Sequence, residues 1–204
     1  MVRPSQIHQL YDWDCGIACL QMVSLWLNPM FECTHRMLCE VLCTKSIWTI
    51  DLFSALLKLY GEKQISIIFY SKVLQVNLNL AHHTFYTNDY LVDIARIEPL
   101  YTQAIAAGAT SCASLSSDEL RLAIGNRIAI VLVDAGKLKC CVSSTQSGFQ
   151  GHFIVVFQIT LNVVKYVDPA SVDHVQCSMD IDTFDQARKS EGTDEDIIII
   201  SRRD

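Results

Sequence analysis

The sequence of 204 residues lacks three features that would assign it to a broad class of proteins. It has no cluster of Lys and Arg, and its formal charge is −6, so we expect neither a nucleic-acid partner nor a membrane partner. Its longest apolar runs, at 128–133 and 197–200, are far too short to span a bilayer and are typical of strands. It also has no glycine-rich phosphate loop, internal repeat or low-complexity segment, which excludes a P-loop enzyme and a repeat protein.

The amino terminus and the cysteines indicate where the protein works. Residues 1–6 contain no apolar signal core, so secretion is not indicated and we expect a cytoplasmic protein. Without a signal peptide, the nine cysteines are better explained as reduced thiols than as a disulfide framework. Half of the residues are hydrophobic and 19% are charged, which is typical of an ordered globular protein. At this length we expect a single domain over residues 1–204.

The spacing of apolar residues predicts two differently built parts of this domain. In the part from about residue 1 to 125 we predict one strand at 65–70 and five helices. The first begins at Cys15, the second lies within 31–43, the third is capped by Thr49 and ends at Gly61, the fourth lies within 90–107, and the fifth follows Ser116 or Ser117. In the part from about 126 to 204 we predict strands at 127–134, 152–157, 163–167 and 197–200, with a helix capped by Asp182 or Thr183. A helical amino-terminal half followed by a mainly antiparallel sheet, closed by the last strand, is the α+β pattern.

Cys15 stands at the predicted start of the first helix, between Asp14 and Gly16. The apolar run after it predicts a largely buried helix, which Asn28-Pro29 ends. A thiol in the first turn of a helix lies near unpaired backbone N–H groups and the positive end of the helix dipole, which favours the thiolate. Cys15 is therefore a candidate nucleophile, while a purely structural cysteine is the simpler alternative for this residue taken alone.

A nucleophilic cysteine needs a base, a group that orients the base, and donors for the oxyanion. His152 opens a predicted strand directly after Gly151 and is the candidate base. Asp168 ends the next strand of the same hairpin, so its carboxylate can reach and orient the imidazole. Gln9 precedes Cys15 by six residues, close enough for its side-chain amide and the Cys15 N–H to form an oxyanion hole. This set predicts catalysis that needs no metal and no other cofactor.

Other thiols and acids have simpler explanations than catalysis. Four residues in the second predicted helix do not have the spacing of paired zinc knuckles: Cys33, His35, Cys39 and Cys43. Asp14 could take part in binding a cation, but capping of the Cys15 helix is the simpler role. Cys140 and Cys141 lie in the polar loop before His152, where they could gate access, respond to oxidation, or be ordinary loop thiols.

Four short stretches resemble papain-like cysteine peptidases, in particular the branch of double-glycine leader peptidases. They are Gln9, Asp14-Cys15-Gly16, Gly151-His152-Phe153 and Val167-Asp168-Pro169. The spacing of Cys15 and His152 also falls within the roughly 130–150 residues that separate this pair in papain-type enzymes. The resemblance implies a papain-like fold and chemistry at a peptide or amide bond.

Over nearly its whole length the sequence is also similar to the guanylyl cyclase domain-containing protein family, which includes plant soluble guanylyl cyclases. The stretches 9–16 and 192–198 carry this likeness. The family name implies conversion of GTP to cyclic GMP with Mg²⁺. Metal-assisted cyclisation uses carboxylates around a divalent ion, a group that recognises the base and cationic groups on the phosphates.

Taken together, the residues predict a papain-like cysteine hydrolase or acyltransferase with a peptide or protein substrate. Cys15 would be the nucleophile, His152 the base, Asp168 its orienting partner and Gln9 an oxyanion donor. One alternative is a guanylyl cyclase, which would require Mg²⁺. The other is a binding module on the scaffold of a former enzyme.

Overall fold

A computed structural model of the protein describes residues 3–77, 90–138 and 148–203. These residues form six α-helices and one seven-stranded sheet, which confirms the predicted α+β class. The helices are α1 (Cys15–Leu27), α2 (His35–Leu42), α3 (Thr49–Gln64), α4 (Tyr90–Ala106), α5 (Ser117–Ile124) and α6 (Ile181–Arg188). The strands are β1 (Ile65–Ser71), β2 (Thr110–Cys112), β3 (Ile128–Asp134), β4 (Gly151–Ile159), β5 (Val163–Val167), β6 (Cys177–Asp180) and β7 (Ile197–Arg202).

The sheet has the order β2-β1-β7-β3-β4-β5-β6, and only the β1–β2 pair is parallel. The prediction that the last strand closes the sheet is wrong, because β7 lies in the middle, antiparallel to both β1 and β3. This position suits its run of four buried isoleucines at 197–200. The amino-terminal part contributes two strands, β1 and β2, although only one strand, at 65–70, is predicted there. This predicted strand is β1. The short strands β2 and β6 carry no apolar run that would predict them.

Three helix ends differ from the predictions. Thr49 is the first residue of α3, and Trp48 occupies the N-cap position before it. Gly61, at φ 66°, kinks this helix without ending it, because only glycine adopts that backbone conformation at little cost. The cap of α6 is Asp180, whose carboxylate accepts a hydrogen bond from the Thr183 N–H at 2.8 Å.

Helices cover both faces of the sheet, so the strands in its middle are buried on both sides. Alternate residues of β3 point into two different cores: Ile128, Ile130 and Leu132 into one, Ala129, Val131 and Val133 into the other. The first core is shared with α1 to α4 and the second with α5 and α6. Burial on both faces explains why β3 has a continuous apolar sequence rather than an alternating one.

Two further features concern the described ranges only. None of their helices combines the length and apolar character needed to cross a membrane. Their seven cysteines are all free thiols. Cys140 and Cys141, in the polar loop before β4, lie outside the described residues.

Candidate active site

The Cys15 thiol lies where the first turn of α1 meets the start of β4. Helix α1 packs against β4, and one turn beyond Cys15 the Cys19 thiol donates a hydrogen bond to the Phe153 carbonyl at 3.3 Å. This contact aligns the helix with the strand, so that Cys15 comes next to His152. Cys15 lies near enough to His152 to help raise the pKa of the imidazole. Cys15 is 8% exposed and borders a cavity, which leaves the sulfur buried but reachable from one side.

The imidazole of His152 is held on its other side by Asp168. His152 Nε2 lies 2.8 Å from Asp168 Oδ1, and both side chains are buried. The same carboxylate oxygen accepts a hydrogen bond from the Ala170 N–H at 2.8 Å, which fixes its orientation. Because Asp168 engages Nε2, the nitrogen left to exchange a proton with the thiol is Nδ1. The structure thus brings together the three residues for which the sequence predicts a shared site.

The surroundings of His152 favour the protonated ring. Burial alone would lower the pKa of His152, but the hydrogen bonds and negative charges of Asp168 and Cys15 outweigh it and raise the pKa to about 10. At neutral pH the ring therefore carries a proton, which it can deliver to a leaving group. A buried imidazolium between a carboxylate and a thiol is suited to general acid catalysis beside a nucleophile.

This raised pKa predicts how stability depends on pH. The native pKa of about 10 exceeds the ordinary value of 6.5, so the folded protein holds this proton more tightly than the unfolded chain does. The stabilisation is complete below pH 6.5 and is lost as the pH rises towards 10. We expect the free energy of unfolding, measured with urea from pH 6 to 10, to fall more steeply for the native protein than for His152→Gln. Parallel curves would contradict the raised pKa.

Gln9 is joined through its backbone to the segment that follows Asp168, and its side-chain amide is already partly engaged. Its backbone N–H donates to the Pro169 carbonyl at 3.0 Å, which places Gln9 beside the segment that follows Asp168. Its side-chain Nε2 donates to the Tyr11 carbonyl at 2.8 Å. An amide nitrogen carries two N–H groups, so the second can still serve an oxyanion. The role of Gln9 as an oxyanion donor stays a prediction.

Gln6 is a positioning residue that the sequence analysis missed. Its Nε2 donates to the carbonyls of Asp168 and Ser171, at 3.0 and 2.8 Å. These two bonds tie the amino-terminal segment to the turn that carries the Asp168 carboxylate. A lone glutamine in an irregular segment has no sequence signal, because its partners are more than 160 residues away.

The prediction that Asp14 caps the Cys15 helix with its side chain is wrong. Asp14 is fully buried, and its Oδ1 accepts hydrogen bonds from the N–H groups of Leu10 and Tyr11, at 3.1 and 2.9 Å. Its Oδ2 lies 2.8 Å from Nε2 of His35. The carboxylate of Asp14, which occupies the N-cap position of α1, therefore folds the preceding loop back on itself instead of bonding to the first turn of the helix.

His35 also contacts a second thiol, since Cys39 Sγ lies 3.6 Å from His35 Nδ1. Burial and the nearby Asp14 raise the pKa of Cys39, which opposes formation of a thiolate. This second arrangement of thiol, imidazole and carboxylate is therefore less suited to nucleophilic attack than the one at Cys15. No group of three or more His, Cys, Asp and Glu side chains within the described ranges is placed to hold a metal ion.

A cavity of about 360 Å³ opens beside Cys15. Trp13 and Trp48 border it, together with Leu132 at the end of β3 and Phe153 in β4. Its polar lining includes Lys45, Thr49, Asp194 and Asp196. The sequence analysis missed this cavity, because its walls come from segments that are far apart in the sequence.

The acidic run at 194–196 does not gather its carboxylates at one point. Asp194 borders the cavity and accepts a hydrogen bond from Asn77 Nδ2 at 2.7 Å, and Asp196 borders it as well. Glu195 instead accepts a hydrogen bond from the Ser114 hydroxyl at 2.5 Å and lies 3.9 Å from Lys72 Nζ. The run as a whole therefore does not provide a shared set of ligands for Mg²⁺.

The fold and the site define an α+β protein with a buried thiol beside a hydrogen-bonded imidazole and carboxylate, at the edge of a cavity. Residues 5–200 match the model of the family described as guanylylate cyclase. The chain is 34% identical over 209 residues to Guanylyl cyclase 1 of Arabidopsis thaliana, an alignment that covers 96% of this chain and 74% of the plant protein. The chain therefore belongs to this guanylyl cyclase family, which confirms the resemblance found in the sequence.

Proposed function

We propose that this protein is a papain-like cysteine hydrolase or acyltransferase that acts on a peptide or amide bond. The observation that supports the proposal most strongly is the buried pair of His152 and Asp168, hydrogen-bonded at 2.8 Å, with the Cys15 thiol beside the imidazole at the edge of a cavity. We place this activity in the cytoplasm, where reducing conditions keep a catalytic thiol free.

In this mechanism the Cys15 thiolate attacks the carbonyl carbon of the substrate, and a C–S bond forms. The negative charge that develops on the carbonyl oxygen is stabilised by the Cys15 N–H and by the second N–H of the Gln9 amide. The C–N bond then breaks as His152 gives its proton to the leaving nitrogen. Water, deprotonated by His152, hydrolyses the acyl-enzyme and releases the thiolate, or an amine takes the acyl group instead. Asp168 keeps the imidazole in the orientation that both proton transfers need.

Selective alkylation tests the proposed nucleophile. Purified protein is treated with a small amount of iodoacetamide at pH 7, and the modified cysteines are identified by peptide mass spectrometry. We expect Cys15 to react far faster than the exposed thiols Cys43 and Cys112, although it is buried, because a thiolate reacts and a thiol does not. Equal labelling of the cysteines would overturn the proposal.

Cys39 provides a matched control for this experiment, because it also lies beside a histidine. Cys15→Ala should abolish the fast phase of labelling, whereas Cys39→Ala should leave its rate and amplitude unchanged. A fast phase that disappears in Cys39→Ala and survives in Cys15→Ala would assign the reactive thiol to the other imidazole.

A guanylyl cyclase that forms cyclic GMP from GTP is the second candidate function. Family membership favours it, as does the name of the plant relative, and these comparisons support it better than they support the hydrolase. The described residues fit its metal less well, since Glu195 turns away from the cavity that Asp194 and Asp196 border.

The two candidates make opposite predictions for one variant. Cyclic GMP formed from GTP and Mg²⁺ by the purified protein, at the same rate in Cys15→Ala, would establish the cyclase and remove Cys15 from its mechanism. Loss of amide hydrolysis in Cys15→Ala, with no cyclic GMP formed by either protein, would favour the hydrolase. A protein with neither activity, whose binding of a partner is unchanged in Cys15→Ala, would be a binding module.

A further inference from the structure

Two buried polar atoms at the cavity beside Cys15 make no well-formed hydrogen bond within the described part of the chain, although the hydroxyls of Ser71 and Thr49 lie close enough to the Asp196 carboxylate to affect its pKa. The two atoms are Oδ1 of Asp196, a residue 6% exposed, and Oγ1 of Thr49, a residue 2% exposed. Both residues border the cavity. Buried polar groups in folded proteins nearly always have a partner, so an unpaired carboxylate oxygen at a cavity indicates that the partner is a ligand.

The charge around the cavity indicates what kind of ligand this is. Three carboxylates border it, from Asp12, Asp194 and Asp196, against the single ammonium group of Lys45. Lys45 Nζ lies 5.4 Å from the centre of the Trp13 ring. None of the ion pairs described for this protein includes Asp196. The cavity thus has an excess of negative charge and an acidic oxygen without a cation.

The environment of Asp196 also opposes its ionisation in the free protein. Burial, together with the neighbouring charge of Asp194, raises its pKa to about 7, although the hydroxyls of Ser71 and Thr49 oppose the shift. A cation bound at the carboxylate would reverse this penalty, since an opposite charge favours the ionised form. A ligand that carries positive charge and several N–H donors matches the site in both respects.

We infer that this cavity is the specificity pocket for a basic side chain, Lys or Arg, of a peptide substrate, with Asp196 at the point where the cation binds. The inference rests on the proposed hydrolase function. The cationic group donates hydrogen bonds to Asp196 and Thr49, and the aliphatic stem of the side chain packs against Trp48, Leu132 and Phe153. A cavity of about 360 Å³ accommodates such a side chain.

Covalent probes that differ in one side chain test this specificity. Short peptidyl vinyl sulfones with lysine, glutamine or norleucine next to the reactive group are added at pH 8, and adduct formation at Cys15 is followed by intact-protein mass spectrometry. We expect the lysine probe to react at least tenfold faster than the norleucine probe. In Asp196→Asn this ratio should fall below about two, while the norleucine rate stays within threefold of the native rate. A faster glutamine or norleucine probe in the native protein would overturn the inference.

A binding measurement separates failure of the pocket from failure of the nucleophile. Benzamidine, a small cation, is titrated into Cys15→Ala protein in a calorimeter, so that no covalent chemistry is involved. We expect saturable binding that is weakened at least tenfold by Asp196→Asn and left unchanged by Asp182→Asn, a matched loss of one exposed carboxylate. Binding without any probe reaction would retain the pocket and overturn the hydrolase. Absence of benzamidine binding, or equal binding by Asp196→Asn, would overturn the pocket.

Discussion

Replacing His152 with alanine is expected to lower the rate of Cys15 alkylation at pH 7 by about 100-fold or more. A positioned acid-base group typically contributes about 10²–10⁴ to a rate. In the native protein the imidazole is buried, hydrogen-bonded to Asp168, close to Cys15 and protonated near neutral pH, since its pKa is raised to about 10. Without the imidazolium, the Cys15 thiolate loses the nearby positive charge that stabilises it. The rate is measured with iodoacetamide under pseudo-first-order conditions.

The pH dependence of this rate identifies the cause of the loss. We expect the native rate to exceed the rate of the variant at neutral pH, and the difference between the two rates to shrink as the pH rises. His8→Ala removes an exposed histidine and should leave the profile unchanged. A His152→Ala profile identical to that of the native protein would show that the imidazole does not activate Cys15. Far-UV circular dichroism of the variant separates this result from unfolding.

The three site residues could be predicted from the sequence because each depends on local structure. Cys15 follows from a helix start, and His152 and Asp168 follow from the two ends of one hairpin that meet across adjacent strands. The packing of α1 against β4, which brings Cys15 next to His152, could not be predicted. It depends on Cys19 and Phe153, which lie more than 130 residues apart.

The cavity could not be predicted in the same way. Asp196 follows a glycine-containing turn and precedes the central strand β7. From the sequence alone, this position is typical of an exposed acidic loop. Its burial results from the position of β7 between β1 and β3, a strand order that the sequence pattern does not predict. Because the position of β7 could not be predicted, the burial of Asp196 beside the cavity could not be predicted either.

Family membership and site geometry indicate different chemistry for this protein. The family name concerns a nucleotide, whereas a thiol beside a buried imidazole suits acyl transfer. A fold can carry unrelated activities, so the function has to be argued from the site. The variant Cys15→Ala is decisive because only one of the two chemistries needs the sulfur.

The largest loss of stability is expected when Arg96 is replaced by methionine. The Arg96 guanidinium forms ion pairs with Asp51 and Asp93 and donates a hydrogen bond to the Ser46 carbonyl at 2.9 Å. Both carboxylates are buried, and burial raises the pKa of Asp51, although its bond with the Trp48 N–H and the charge of Arg96 counteract the shift. Removing one partner of such a buried arrangement leaves charges unpaired and typically costs about 3–5 kcal/mol.

Urea denaturation at pH 7 measures this loss, with Arg36→Met as the matched control. Arg36 pairs with Glu40 on the surface, where an ion pair contributes about 0–1 kcal/mol, so the control should be nearly neutral. Arg96 also supports the wall of the cavity through Asp93. This carboxylate accepts hydrogen bonds from the Ser46 hydroxyl and from Trp48 Nε1, and both residues border the cavity. Arg96→Met should therefore weaken benzamidine binding even at urea concentrations where the protein stays folded. A destabilisation no larger than that of Arg36→Met would show that Asp51 and Asp93 do not depend on this guanidinium, and that the cavity wall is held by other contacts.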